Sequence, residues 1–232
     1  MRLNYIDNCD CLEGMKAIPD GSVDLIVTDP PYLINYATNY RKDKTHDFCS
    51  TIANDNNPEL IRDCLLECYR VLKPDAAAYV FCSAKTLDVF KSFAVEAGFT
   101  VKNTIVWVKN NWTARDLKAQ YGQQYEPLLL LNKGRAIIRG KRLTDVWTFD
   151  RVAGKAQVHQ NQKPVELIIQ CIEKHSDTGD IVLDPFMGSG TTAVACIRTG
   201  RNYIGFELNE EYHAICHQRI ADAVDELLEV EV

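Results

Sequence analysis

The sequence predicts a doubly wound α/β fold with a mostly parallel sheet. Seven short apolar stretches alternate with longer stretches of helical period. One of them, Val23–Thr28, is nearly continuous in apolar residues, as a strand covered on both faces requires. A glycine-rich turn at Gly188 and Gly190 joins a predicted strand to a predicted helix.

The elements follow in order. Asn4–Ile6 reads as a weak strand and Leu12–Ile18 as a short helix. Val23–Thr28 is a buried strand that Pro30-Pro31 stops. Pro58–Leu72 is an amphipathic helix, with Leu60, Ile61, Cys64, Leu65, Cys68, Val71 and Leu72 at i, i+3, i+4 spacing, ended by Lys73-Pro74. Ala76–Cys82 is a strand, and Leu87–Ala97 a helix stopped by Gly98. Thr104–Val108 and Pro127–Leu131 read as antiparallel partners. Val165–Lys174 is a helix with Pro164 at its first position. Ile181–Asp184 is a strand, Thr191–Thr199 a helix closed by Gly200, and Tyr203–Phe206 a strand. Asn209 caps a last helix. Residues 33–57 and 134–158 lack sustained periodicity, and long loops of that kind are usually functional.

The 232 residues, 46% hydrophobic and 25% charged, suit one catalytic domain over 1–232 with a small insertion. The start of the chain has no signal-peptide pattern, and no apolar run approaches the 18 residues of a membrane span. The expectation is a cytoplasmic protein with no membrane partner. Nine cysteines without a C-x-x-C pair argue against a zinc ribbon and for reduced thiols, so no metal site is expected. Trp107, Trp112 and Trp147 read as core or interface residues.

Charge is unevenly placed. The net charge is −6, but residues 203–232 hold eight acidic residues and one basic. Residues 132–163 hold eight basic residues and two acidic. That local surplus is a candidate phosphate-binding surface, and a solvated loop is an equally simple reading.

Two motifs carry chemistry. Asp184-Pro-Phe186-Met187-Gly188-Ser189-Gly190-Thr191-Thr192 offers close backbone approach and free N–H groups at a helix start. Gly188-x-Gly190-x-x-Ala193 also satisfies a loose dinucleotide fingerprint, with Glu207 placed to bind two ribose hydroxyls. This motif alone allows both NAD and S-adenosylmethionine, and equally a turn without a ligand. In Asp29-Pro30-Pro31-Tyr32, two prolines leave rigid carbonyl acceptors, Asp29 adds a carboxylate, and Tyr32 adds a flat ring. Such a tetrad suits a planar group bearing an amino nitrogen. If strands 23–28 and 181–184 are neighbours, methyl donor and amino acceptor face each other at the carboxyl edge of the sheet.

Together these residues resemble the beta class of DNA amino-methyltransferases, in which the tetrad precedes the target-recognition region and the cofactor motif comes last. The resemblance spans nearly the whole chain. It extends to Asn8–Met15, with Cys9 where the family usually has glycine, and to Tyr69–Pro74, Tyr125–Gly134 and His159–Glu166. It implies a seven-stranded Rossmann-like methyltransferase sheet with a small target-recognition insertion. The N-terminal strand and helix would complete the cofactor half of that sheet.

The resemblance also implies S-adenosylmethionine as cofactor and a flipped-out base in DNA as substrate, within the restriction–modification setting. Asp10 and Cys11 would meet the adenine end of the cofactor, Glu207 the ribose, and Phe186–Thr192 the methionyl part. Lys163 would border the cofactor pocket, and His159 would be a positioning residue rather than a base. Residues 33–57, with Tyr36 and Tyr40, would form the active-site and DNA loop, and 134–158 the target-recognition segment. A segment so short implies a brief recognition site or a homodimer. The aspartate form of the tetrad leans toward N6 of adenine, with N4 of cytosine as the alternative and a non-catalytic relic of the fold as the distant one.

Overall fold

The computed structural model describes residues 1–34, 54–112, 117–152 and 162–230. Most of the predicted loop 33–57, with Tyr36 and Tyr40, lies outside them. So do Lys155, His159 and the last residues of the 134–158 segment.

Among the described residues eight strands form one sheet: β1 Tyr5–Asp7, β2 Val23–Thr28, β3 Leu72–Phe81, β4 Thr100–Val108, β5 Tyr125–Lys133, β6 Val146–Thr148, β7 Ile181–Asp184 and β8 Asn202–Phe206. Six helices accompany them among the described residues: α1 Cys11–Met15, α2 Pro58–Val71, α3 Leu87–Glu96, α4 Val165–His175, α5 Thr191–Thr199 and α6 Glu210–Val230. The spatial order is β1-β8-β7-β2-β3-β5-β4-β6. β5 runs antiparallel to both of its neighbours, β3 and β4, and every other pairing is parallel.

Side-chain alternation divides the core into two layers. Ile26, Ala78, Val80 and Leu131 face α1, α2 and α3. Leu25, Val27, Ala77, Tyr79 and Leu130 face α4, α5 and the start of α6. Both faces of β2 are therefore covered, which explains its unbroken apolar run. The antiparallel pairing of β4 with β5 and the docking of β1 beside β8 agree with expectation.

Several element ends differ by a few residues from the sequence reading, and four differences have a clear cause. The sheet has one strand more than the predicted seven: β6 is three residues on the edge beside β4, too short to show a period. β3 begins at Leu72, passing through Lys73-Pro74 rather than after it. A register shift between Val23 and Leu25 of β2 carries that stretch, so Pro74 is not asked for a ladder hydrogen bond. β4 starts at Thr100, its first half disguised by the polar Lys102 and Asn103 around an irregularity. Pro164 is the extended N-cap of α4, one position before the helix rather than inside it. Trp107 and Trp147 are buried as expected, whereas Trp112 is 65% exposed.

Candidate active site

The chain reverses its winding direction between β2 and β7, which pair at Leu25–Val182 and Ile26–Leu183. The crevice at the carboxyl ends of these two strands is where open α/β sheets bind ligands. A cavity of about 420 Å³ opens there, within the usual range for small-molecule sites. It brings together all but one of the predicted site residues: Asp10, Cys11, Asp29–Tyr32, Lys163, Asp184, Phe186–Ser189, Thr191, Thr192 and Glu207 line it.

The exception is Gly190. It sits at the N-cap of α5 with φ 83°, and a β-carbon there would lie 2.4 Å from Cys216 Sγ of α6. Its contribution is to let the loop pack against α6 in a left-handed turn. Arg219, one helical turn after Cys216, fixes the same loop by donating to Ser189 O at 2.6 Å, Ser189 Oγ at 2.9 Å and Thr191 Oγ1 at 3.3 Å. Sequence reasoning saw Arg219 only as the lone base of an acidic tail.

The cofactor side is built on two carboxylates. Asp184 Oδ1 accepts the Phe186 N–H at 3.1 Å and Oδ2 accepts the Thr192 hydroxyl at 2.6 Å. Burial pushes its carboxyl up to about 7, against the pull of the Thr192 hydroxyl. Asp184 thus ties the two ends of the glycine loop. Glu207 accepts the Gly188 N–H at Oε2 and the Asn209 N–H at Oε1, both at 2.8 Å. Burial raises its pKa, opposed by those backbone donors. Asp10 caps α1 by accepting the Leu12 N–H at 2.9 Å. The lining fits S-adenosylmethionine: a carboxylate at the end of β8, the glycine loop beside it and an apolar floor that includes Phe186, Met187 and Phe206.

The acceptor side holds a charge network of half-buried groups around one buried lysine. Asp29 accepts at Oδ1 from the Tyr32 hydroxyl and at Oδ2 from Lys163 Nζ, each at 2.5 Å. Lys163 Nζ also donates to the Tyr32 hydroxyl at 3.0 Å and pairs with Glu126 Oε2 at 3.4 Å. Glu126, on β5, is in turn paired with Lys109 at the end of β4. The Lys163 side chain is only 7% exposed, and its ammonium stands over the rings of Tyr32 and Phe81 at 5.4 and 5.1 Å. Burial raises the Asp29 pKa, resisted by Lys163 and reinforced by the charge of Glu126. Burial alone would discharge Lys163, but Asp29 and Glu126 outweigh it and hold the ammonium charged. Burial opposes a charge on Glu126 too, yet the two lysines bring its pKa below the usual value. Burial and the neighbouring carboxylates keep Tyr32 a phenol and hence a donor.

Lys163, expected to border the cofactor pocket, lines the cavity and there donates to Asp29 and Tyr32 of the tetrad. Glu126 was missed, although an acid inside the run Tyr125-Glu-Pro-Leu-Leu-Leu-Leu131 is a visible anomaly in an apolar strand.

The basic segment also divides. Arg139 forms a two-point pair with Asp177 at 2.7 and 2.6 Å, and Lys174 donates to the carbonyl of Lys141 at 2.8 Å. Asp177 and Lys174 precede β7, so this part lies at the end of the sheet opposite the cavity. β6 then carries the chain along β4 to the cavity end, where Arg151 and Lys163 follow.

Among the described residues no helix is long and apolar enough to cross a membrane, and no cluster of side chains could hold a metal ion. The eight described cysteines are all free thiols.

Comparison with known proteins agrees with this geometry. A family model described as DNA methylase, for the N6 and N4 enzymes, matches residues 23–218. YubD of Escherichia coli (strain K12), which bears the name of a methylase, is 37% identical over 214 residues, covering 91% of this chain and 88% of its own. The DNA adenine methyltransferase YhdJ of the same strain is 33% identical over 237 residues, covering 88% and 78%. The crystal structure of the M1.HpyAVI–SAM complex matches with a TM-score of 0.72 at 30% identity, over 93% of this chain and 98% of that one. The chain belongs to the N6/N4 DNA methylase family and is an S-adenosylmethionine-dependent DNA methyltransferase.

Proposed function

We propose that the enzyme methylates N6 of adenine, with Asp29, Pro30, Pro31 and Tyr32 as the acceptor array. The carrying observation is the half-buried Asp29 carboxylate, which lines the same cavity as the glycine loop. A carboxylate has about four lone-pair sites. Tyr32 and Lys163 use one on each oxygen, so acceptor capacity remains for an amino hydrogen. Pro30 and Pro31 add carbonyl acceptors in a loop whose backbone the two rings hold rigid.

Bound S-adenosylmethionine supplies an electrophilic methyl group on a sulfonium. Acceptors that draw on the amino hydrogens make the nitrogen lone pair available. That pair forms the new N–C bond while the C–S pair stays with sulfur. The methylated nitrogen then carries a positive charge and sheds one proton, for which Asp29 is the adjacent base. Glu207 and the Gly188 backbone would hold the ribose and its surroundings, with Asp10 and Cys11 at the adenine end.

Adenine is favoured over cytosine by the aspartate of the tetrad and by the 33% identity to an adenine methyltransferase. PvuII DNA methyltransferase, cytosine-N4-specific, shares the fold at a TM-score of 0.75 but only 18% identity. The base must leave the duplex, at a cost of about a few kcal/mol. The surface that meets DNA is best sought at the cavity end of the sheet, where the β4–β5 connection exposes Trp112 and Tyr121. Mass spectrometry of nucleosides from DNA methylated by the purified enzyme tests the base assignment. N6-methyladenine is expected, and N4-methylcytosine as the product would refute it.

A further inference from the structure

Glu126 lies outside both sequence motifs, yet it joins the acceptor array to a second cation. The chain of contacts runs from Asp29 Oδ2 to Lys163 Nζ at 2.5 Å, from Lys163 Nζ to Glu126 Oε2 at 3.4 Å, and from Glu126 Oε1 to Lys109. The Tyr32 hydroxyl lies 3.4 Å from the same Glu126 oxygen. Signs alternate along the chain: two carboxylates and two ammonium groups.

Buried charges of this kind are costly unless each is paired, and removing one partner strands the other. Lys163 is the buried member, and its bonds to Asp29 and to the Tyr32 hydroxyl both go to the one tetrad loop. Glu126 supplies an anchor from a separate element, a central strand whose backbone is fixed on both sides by β3 and β4. Lys109, from the neighbouring strand, balances Glu126.

We infer that Glu126 is a positioning residue for methyl transfer: through Lys163 it orients the Asp29 carboxylate and sets its charge, with Lys109 completing the balance. This rests on the reading of Asp29 as an acceptor of the amino group, and it adds a requirement that the tetrad does not contain. One oxygen of Asp29 is bound by Tyr32 and the other by Lys163. Rotation of the carboxylate out of line with the incoming amino group is thereby prevented from both sides.

The charged and titratable groups facing Asp29 come from several elements. They are Tyr32 beyond β2, Lys163 before α4, Glu126 on β5, Cys82 after β3 and Asp184 on β7, with Lys109 after β4 paired to Glu126 behind them. Removing a negative neighbour from this set eases ionisation of Asp29, and removing a positive one hinders it. The two substitutions therefore move the pH dependence in opposite directions, which a merely structural defect would not do.

The test is a single-turnover methylation rate, measured on the preformed complex with S-adenosylmethionine and duplex DNA, across pH 5 to 9. E126Q should slow the plateau rate about tenfold and move the acid limb to lower pH. K163M should move that limb to higher pH. E126D keeps the charge, so it should leave the limb in place while losing rate through its shorter reach. All three should bind S-adenosylmethionine within about threefold of wild type.

Superimposable profiles for E126Q, K163M and wild type would overturn the inference, as would shifts in the same direction. If E126Q does not fold by circular dichroism, E126D and K163M carry the comparison: a limb raised in K163M and unmoved in E126D supports it, and limbs unmoved in both overturn it. D29N separates the two readings. Wild-type turnover in D29N refutes the acceptor role and this inference with it. An inactive D29N beside an unaltered E126Q refutes the role of Glu126 alone.

Discussion

Replacing Tyr32 by phenylalanine separates the two things this side chain offers, a ring and a hydroxyl. From the sequence, the ring is the part that matters, because a flat face stacks on a flipped base. In the structure the hydroxyl is engaged as well: it donates to Asp29 at 2.5 Å and receives from Lys163 at 3.0 Å. Hydrogen bonds to charged groups are worth about 1.5–3 kcal/mol. Losing the bond to Asp29 during methyl transfer would then slow the step roughly 10- to 150-fold, since each 1.36 kcal/mol is about tenfold in rate. The phenylalanine ring keeps the stacking contribution of about 1–3 kcal/mol per base, so Tyr32→Ala should fall further by a comparable factor. Single-turnover transfer of a tritiated methyl group, run beside 2-aminopurine fluorescence at the target position, reads chemistry and flipping separately. Tyr32→Phe should flip normally and react slowly, whereas Tyr32→Ala should do neither well. A wild-type rate in Tyr32→Phe would remove the hydroxyl from the reacting array, and equal losses in the two variants would remove the ring.

Glu207→Ala should weaken S-adenosylmethionine binding at least about tenfold by calorimetry, at the lower end of what a charge-assisted hydrogen bond contributes; unchanged affinity would leave Glu207 with only its loop contacts to Gly188 and Asn209. In the triple variant R139A/K141A/R142A, DNA affinity should keep its wild-type dependence on salt, because Arg139 is paired with Asp177 at the end of the sheet away from the cavity. A slope flatter by about 0.9 per residue would instead put DNA on that end. His175 is buried against the Tyr79 hydroxyl at 2.8 Å, and burial pushes its pKa down to about 4. The ring is neutral in the fold but gains a proton in the unfolded chain below about pH 6.5. Stability should therefore fall as pH drops from about 6.5 toward 4, and chemical denaturation of His175→Phe between pH 7 and 4.5 should lose about 2 kcal/mol less than wild type; equal losses would mean that the histidine is not the acid-sensitive group.

What could be read from the sequence was whatever is local along the chain. Val23–Thr28, Ile181–Asp184 and Thr191–Thr199 have the bounds read from their periods and breakers. The tetrad and the glycine loop are each contiguous, so residue type and order were enough to propose their chemistry. Elements that owe their form to a neighbour were not legible. β6 exists because the edge of β4 offers it a ladder, and the start of β3 survives Pro74 because its pairing with β2 shifts register there.

Charge was the least legible property, because a count along the chain ignores which end of the sheet a residue reaches. Eight basic residues between 132 and 163 look like one surface. The antiparallel β5 delivers the chain to the far end of the sheet, and the parallel β6 returns it, so the segment is split across the thickness of the fold. Its last member, Lys163, ends buried beside Asp29, 134 residues away in sequence. Glu126 shows the converse. A single acid in an apolar strand adds little to any charge total, yet it meets Tyr32 across 94 residues and Lys163 at the same point. A buried ion must find its partner in space, so an isolated charge within an apolar run is a stronger pointer to the site than a cluster of charges in a loop.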